Sequence, residues 1–189
     1  MNFIPRFAEQ QIKRYLQPNK IIVLLGPRRV GKTVLIRKII SESTEPYLLL
    51  NGEDVATREL FNRRSIRNLK NILEGKTFLV IDEAQKIPDI GNALKLMVDE
   101  IDGFKGLITG SSAFDVENYT GEPLTGRKMT FKLFGISEGE IAKKESIIER
   151  KDGLFERLIY GNYPELLKLE TKHEKQSYLR ELLNSYLLK

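Results

Sequence analysis

Gly26-Pro27-Arg28-Arg29-Val30-Gly31-Lys32-Thr33 completes the pattern G-x-x-x-x-G-K-[ST], a set of residue types suited to gripping a polyphosphate. The two glycines allow a tight loop that no side chain obstructs, so backbone N–H groups can converge on phosphate oxygens. An apolar run, Ile21-Ile22-Val23-Leu24-Leu25, precedes the loop, and a helical pattern follows from Lys32 through Thr33 and Val34. Amides at a helix N-terminus, with the helix dipole, add favourable potential for an anion. In this arrangement Lys32 reaches the β- and γ-phosphates of a nucleotide and the Thr33 hydroxyl ligates Mg²⁺. The nucleotide-binding segment then runs from Gly26 to Val34. Arg28 and Arg29 exceed what generic phosphate binding requires. They face phosphates or neighbouring acidic residues, and their types alone do not choose between the two.

A second chemical element lies downstream. Thr77-Phe78-Leu79-Val80-Ile81 is a short apolar run that ends in Asp82-Glu83. Such a run suits a strand buried on both faces of a parallel sheet, and carboxylates at its C-terminal end fall in the crevice where open α/β sheets bind ligands. Asp82 is placed to hold Mg²⁺, directly or through water, opposite Thr33. Glu83 follows as the residue to orient and deprotonate an attacking water. Acidic residues also favour the positive end of a following helix, so the pair could simply open one. The phosphate loop upstream favours the metal and base reading.

These residues require alternating strands and helices to position them. The pattern predicts an N-terminal helix over 4–16 with Pro5 in its first turn, strands at 21–25, 47–50, 77–81, 105–109 and 128–133, and helices at about 32–42, 53–61, 63–74 and 89–101. Gly75 is the expected C-cap of the helix before it. Residues 113–126 read as loop, with Gly121, Pro123 and Gly126. Ser137-Glu138-Gly139-Glu140 fits a capping box that begins a helical C-terminal region. Connections of βα type imply a parallel sheet with right-handed crossovers.

With 189 residues, 41% apolar and 30% charged, the chain has the composition of an ordinary globular protein and room for one α/β domain plus a small appendage. The apolar runs are too short to span a membrane, no N-terminal signal peptide is visible, and the lack of cysteine fits a cytoplasmic protein. Zero cysteines and a single histidine, His173, exclude thiolate sites and His-rich metal centres. His173 sits in a polar helical stretch and reads as solvated. The net charge of +5 is unevenly spread: 58–76 carries six basic residues against two glutamates, and 82–102 reverses the balance. The basic stretch is a candidate contact for nucleic acid or an acidic protein partner. Without aromatic interleaving beyond Phe61, a solvated helix face is the commoner explanation.

In combination and order, Gly26 to Thr33, Leu79-Val80-Ile81-Asp82-Glu83-Ala84-Gln85, Thr109-Gly110-Ser111-Ser112 and Leu124-Thr125-Gly126-Arg127 resemble the AAA-type ATPases of a widespread prokaryotic family. Those proteins join this nucleotide-binding domain to a C-terminal domain of uncertain function. Gly161-Asn162-Tyr163-Pro164-Glu165 is similar to the family's Gly-Gly-Tyr-Pro-Glu stretch, with Asn162 in place of a glycine. The resemblance implies a P-loop NTPase fold: a three-layer α/β/α sandwich around a five-stranded parallel sheet of order 5-1-4-3-2. It places the nucleotide-binding domain at 1–135 and a helical, lid-like region at 136–189. It also implies a polar sensor of the γ-phosphate at the end of the fourth strand, for which Ser111 and Ser112 are candidates, although Gly-Ser-Ser is also a good turn in its own right. Arg127 becomes the candidate for an arginine that stabilises transition-state charge, from this subunit or a neighbour in a homo-oligomer; otherwise it is a solvated arginine at a strand start.

The leading functional expectation is a Mg²⁺-dependent ATPase whose hydrolysis drives conformational change in attached domains or partners. The alternative is an ATP-binding switch or DNA-associated module with negligible turnover. Glu83 favours the first, because a pure switch has no need of a base beside the metal carboxylate. A GTPase is disfavoured by the missing Asn-Lys-x-Asp pattern, and a small-molecule kinase by the lack of an arginine-rich lid. Tyr178, Leu179, Leu182, Leu183, Tyr186 and Leu187 form an apolar stripe that runs to the last residues without a stop signal, as expected of a piece of a longer protein.

Overall fold

The computed structural model describes residues 4–111 and 124–186. The chain divides into two compact units, one of Ala8–Leu133 and one of Met1–Phe7 with Phe134–Lys189. Ser112, residues 113–123 of the expected loop, and Leu187 lie outside the described residues.

In the larger unit, five parallel strands form one sheet: β1 (Lys20–Gly26), β2 (Tyr47–Asn51), β3 (Phe78–Asp82), β4 (Lys105–Ser111) and β5 (Lys128–Lys132), in the order β2-β3-β4-β1-β5. This is the expected order 5-1-4-3-2 read from the other edge. β1, β3 and β4 are central and nearly uninterrupted in burial; β1 and β3 are accordingly apolar runs, while β4 buries Lys105 and Thr109 beside Leu107 and Ile108. β2 and β5 are the edges: β2 alternates between exposed and half-buried positions, and β5 has no fully buried residue.

Helices cover both faces. Side chains alternate across a strand, so Ile21, Val23, Leu79, Ile81 and Ile108 share one face. They form a single core with Leu69, Ile72 and Leu73 of α4 (Ile66–Leu73) and Ala93, Leu94 and Met97 of α5 (Ile90–Glu100). The opposite face carries α2 (Lys32–Ser41), which packs on β1 and β4 through the buried Leu35, Ile36 and Ile39. α1 (Phe7–Tyr15) buries Ile12 and sets the Tyr15 ring 6.1 Å from that of Phe131 in β5. The short α3 (Val55–Leu60) is capped by Asp54, whose carboxylate accepts from the N–H groups of Ala56 and Thr57.

α1 begins at Phe7, three residues later than its sequence pattern suggests, so Pro5 precedes the helix. The reason is long-range: the Phe7 N–H donates to Glu140 Oε1 at 2.7 Å, so a distant carboxylate serves the amide that a local cap would otherwise satisfy. Gly75 does not cap α4. Glu74 takes the left-handed position itself (φ 49°), and Gly75 follows at φ 80°.

The smaller unit contains the single turn α6 (Glu138–Ile141), α7 (Ile147–Tyr160) and α8 (Lys172–Tyr186). Both Ser137 with Glu140 and Ser146 with Glu149 form reciprocal capping boxes. Glu140 is almost fully buried and pairs with Arg6 at 3.2 Å. Arg157 ties the unit together, donating to both carboxylate oxygens of Glu138, to Glu145 and to the Arg150 carbonyl. Asn162 Nδ2 also donates to Glu138, which gives the departure from glycine at this position a structural partner. The α8 stripe packs unevenly: Tyr178 is buried against Tyr163, while Leu183 is 45% exposed. His173 is exposed in the first turn of α8.

Candidate functional site

The C-terminal ends of β1, β3 and β4 carry the candidate residues. Gly26 closes β1, and its Cα sits beside Ser111 of β4 in the parallel register. A Cβ on Gly26 would lie 2.3 Å from the Leu133 carbonyl oxygen, so only glycine fits at the first position of the loop. Two left-handed residues then shape the loop, Arg29 at φ 61° and Gly31 at φ 99°. Val30 between them is fully buried and anchors the loop, while Arg28 and Arg29 are exposed. Gly31 supplies no side-chain cap to α2, which leaves the first-turn amides of that helix directed at the loop, the arrangement that binds anions.

Lys32 is buried, and its Nζ donates to the carbonyls of Gly26 at 2.8 Å and Pro27 at 3.0 Å. Burial lowers its pKa below the ordinary lysine value; Glu83 and Asp82 oppose that shift and Arg28 adds to it. The ammonium is thus held inside the loop, within the influence of both carboxylates. Val34, one residue into the helix beyond Thr33, is 57% exposed.

Thr33 and Asp82 meet directly. The Thr33 hydroxyl donates to Asp82 Oδ2 at 2.7 Å, joining the start of α2 to the end of β3. Asp82 Oδ1 accepts from Thr109 Oγ1 at 2.5 Å, and Thr109 Oγ1 in turn accepts the Glu83 N–H at 2.9 Å. Thr109 is a residue that sequence reasoning passed over in favour of Ser111 and Ser112. The signal was present: a hydroxyl in a strand buried on both faces needs a partner. The β3–β4 register pairs Ile81 with Ile108, which brings Thr109 alongside Asp82 on the same face. Ser111 is half-buried at the end of β4, beside the loop.

Glu83 lies just beyond β3 in a left-handed conformation (φ 51°, ψ 45°) and opens a short 3₁₀ turn, Ala84–Lys86. Its Oε2 accepts from Gln85 Nε2. The Gly52 N–H donates to the Asp82 carbonyl at 2.8 Å, and a Cβ on Gly52 would come within 2.3 Å of the Glu83 carbonyl oxygen. Gly52 is therefore a second unrecognised contributor, needed where two backbones approach closely.

Arg127 does not join this cluster. It immediately precedes β5, whose Lys128 pairs with Ile21, at the end of the sheet remote from the loop. Five residues of strand separate Ile21 from Gly26, or about 16 Å. The Arg127 Nε donates to Asp99 at 2.6 Å. In the basic stretch, Arg63, Arg64, Arg67 and Lys70 are exposed, and Arg64 pairs with Asp89.

A carboxylate and a hydroxyl at the end of a phosphate loop suit Mg²⁺, which takes one or two protein oxygens and fills its other positions with water and phosphate. Thr33 spends its hydrogen on Asp82 and keeps its oxygen lone pairs, so the pair remains competent to accept a cation. No helix among the described residues is long and apolar enough to cross a membrane.

The chain is 28% identical over 200 residues to an uncharacterized protein of Methanocaldococcus jannaschii, covering 95% of this chain and 43% of that protein. It is 29% identical over 137 residues to an uncharacterized protein of Mycobacterium tuberculosis, covering 72% of this chain and 30% of that one. The chain thus spans less than half the length of these relatives. Its fold is similar to that of a signal transduction ATPase with numerous domains and a tetratricopeptide repeat sensor from Pyrococcus horikoshii, with a TM-score of 0.56 and 15% identity over 97% of this chain and 32% of that one. Residues 18–142 match the AAA domain family, and with the phosphate loop and sheet order in place the chain belongs to that family of P-loop ATPases.

Proposed function

We propose that this chain binds ATP with Mg²⁺ and hydrolyses it, coupling the nucleotide state to conformational change in an attached domain or partner. The observation that carries the reading is the bond from Thr33 to Asp82, with Lys32 and Glu83 on either side of it. In this reading the loop amides and Lys32 hold the β- and γ-phosphates, and Thr33 and Asp82 hold the metal. Mg²⁺ supplies charge neutralisation at the phosphate oxygens. Glu83 accepts the proton of a water whose oxygen attacks the γ-phosphorus. The bond to the bridging oxygen breaks, giving ADP and phosphate. Ser111, at the end of β4, serves as the polar sensor in the same reading. Arg127, remote from its own loop, serves a neighbouring subunit's site if it acts in catalysis. The domain division follows the same reading, with the ATP-binding part at 1–135 and a helical lid-like part at 136–189.

Glu83→Gln tests the proposal. It should retain ATP and lose turnover, whereas an ATP-binding switch with negligible turnover would show no difference between parent and variant. Turnover measured with and without DNA tests the further idea that 58–76 contacts nucleic acid.

A further inference from the structure

Glu83 is pinned at both ends of its peptide unit. Its N–H donates to Thr109, and its carbonyl accepts the Lys86 N–H at 3.0 Å with Gly52 packed against it. These contacts fix the backbone in the left-handed region, a conformation that a residue with a side chain adopts only when its surroundings hold it there. They do not fix the carboxylate, which stands three torsions away. Gln85 does. The 3₁₀ turn brings its side chain back over Glu83, and Nε2 donates to Glu83 Oε2. Gln85 Oε1 is buried and makes no hydrogen bond among the described residues. A buried acceptor left unpaired is destabilising, so this rotamer serves the contact with Glu83 at a cost to the fold.

We propose that Gln85 is a positioning residue for Glu83, holding one carboxylate oxygen so that the other is presented to the attacking water. The inference rests on the reading of Glu83 as general base. An amide suits the task because it is neutral: it orients the carboxylate without pairing its charge. A carboxylate oxygen has two lone pairs, and the bond from Gln85 occupies one of them on Oε2, while among the described residues no hydrogen bond engages Oε1, which is left to take a proton. General-base catalysis depends on the acceptor lying within hydrogen-bond reach of the proton, so freezing the Glu83 side chain acts on kcat and not on nucleotide binding.

The test uses Gln85→Met, which keeps length and volume and removes the donor. We expect kcat to fall about tenfold, a fraction of what the base itself contributes, with KM and the Kd for a non-hydrolysable ATP analogue unchanged. In a Glu83→Gln background, Gln85→Met should cause no further loss, because the two act as a unit. Independently of activity, the Gln85 side-chain amide resonance, identified by its loss in Gln85→Met, should move on Glu83→Ala in nucleotide-free protein. Parental kcat in Gln85→Met with an inactive Glu83→Gln would overturn the role of Gln85 and leave Glu83 standing. Additive losses, or an amide resonance indifferent to Glu83, would also overturn it. A fully active Glu83→Gln would instead remove the general base on which the inference rests. Should Gln85→Met fail to fold, Gln85→Ala carries the same comparisons, and the resonance of the parent protein still reports the contact.

Discussion

The hydroxyl of Thr33 and the carboxylate of Asp82, 49 residues apart in the chain, are hydrogen-bonded at 2.7 Å and join the phosphate loop to the third strand. β4 alone separates β1 from β3 in the sheet, so the start of the helix that leaves β1 lies within reach of the end of β3. Removing the charge of Asp82 should therefore affect metal before it affects nucleotide. Asp82→Asn is expected to bind an ATP analogue in EDTA as the parent does, and to lose the additional affinity that Mg²⁺ confers. Titrations of a fluorescent analogue with and without Mg²⁺ measure both.

Thr109 is itself buried and bridges Asp82 and the Glu83 amide, so its hydroxyl has two half-buried partners. Thr109→Val keeps the shape and strands both, at about 1–3 kcal/mol of stability. Thr109→Ser keeps the hydroxyl and should recover most of that loss. Urea melts of the two variants read the difference, and equal destabilisation would mean that the methyl group, not the hydroxyl, matters.

Gly52→Ala places a methyl group 2.3 Å from the Glu83 carbonyl oxygen. The end of β3 must shift to accommodate it. Turnover should fall by about the hundredfold expected when a catalytic group is displaced by an ångström. The same substitution at Gly75, whose added Cβ would meet open space but whose φ is positive, should affect stability alone.

Glu140 predicts a pH dependence in the smaller unit. Burial pushes its carboxyl up, but the N–H groups of Ser137 and Phe7, together with Arg6, outweigh that and hold it below the usual carboxylate range. A depressed folded-state pKa contributes stability that is present above the unfolded value of about 4.3 and lost as pH falls through the folded one. Glu140→Gln should cost about 3 kcal/mol near neutrality, because it removes the charge of a buried carboxylate that pairs with Arg6. It should also flatten the acid limb of the unfolding curve below about pH 4. An unchanged acid limb would place the loss of stability in other carboxylates.

Arg127 is held by Asp99 at the sheet end remote from the loop, so any catalytic role must be exercised on another subunit. Mixing Arg127→Ala with Lys32→Ala protein should then restore part of the activity, since a mixed interface can join an intact loop to an intact arginine. Turnover independent of protein concentration, with no rescue on mixing, would leave Arg127 outside catalysis.

Strands and phosphate loop were legible because each is a local pattern: the apolar runs of β1 and β3 follow from burial on both faces, and the glycines at 26 and 31 from backbone geometry. Strand order was available through resemblance and not through periodicity. Thr109, Gly52 and Gln85 escaped notice for a physical reason. Thr109 and Gly52 act on the end of β3 through pairings that exist only once the register is known, and Gln85 acts through a left-handed residue that no propensity assigns to glutamate. The start of α1 was misread on the same grounds, since the carboxylate that serves Phe7 lies 133 residues away.

Turnover of ATP by Glu83→Gln, measured beside its affinity for the nucleotide in the presence of Mg²⁺, tests the central claim most directly. The account predicts parental affinity and a fall in hydrolysis of roughly 10²- to 10⁴-fold, the share of a positioned general base. Hydrolysis at the parental rate, or loss of binding in step with loss of turnover, would contradict it.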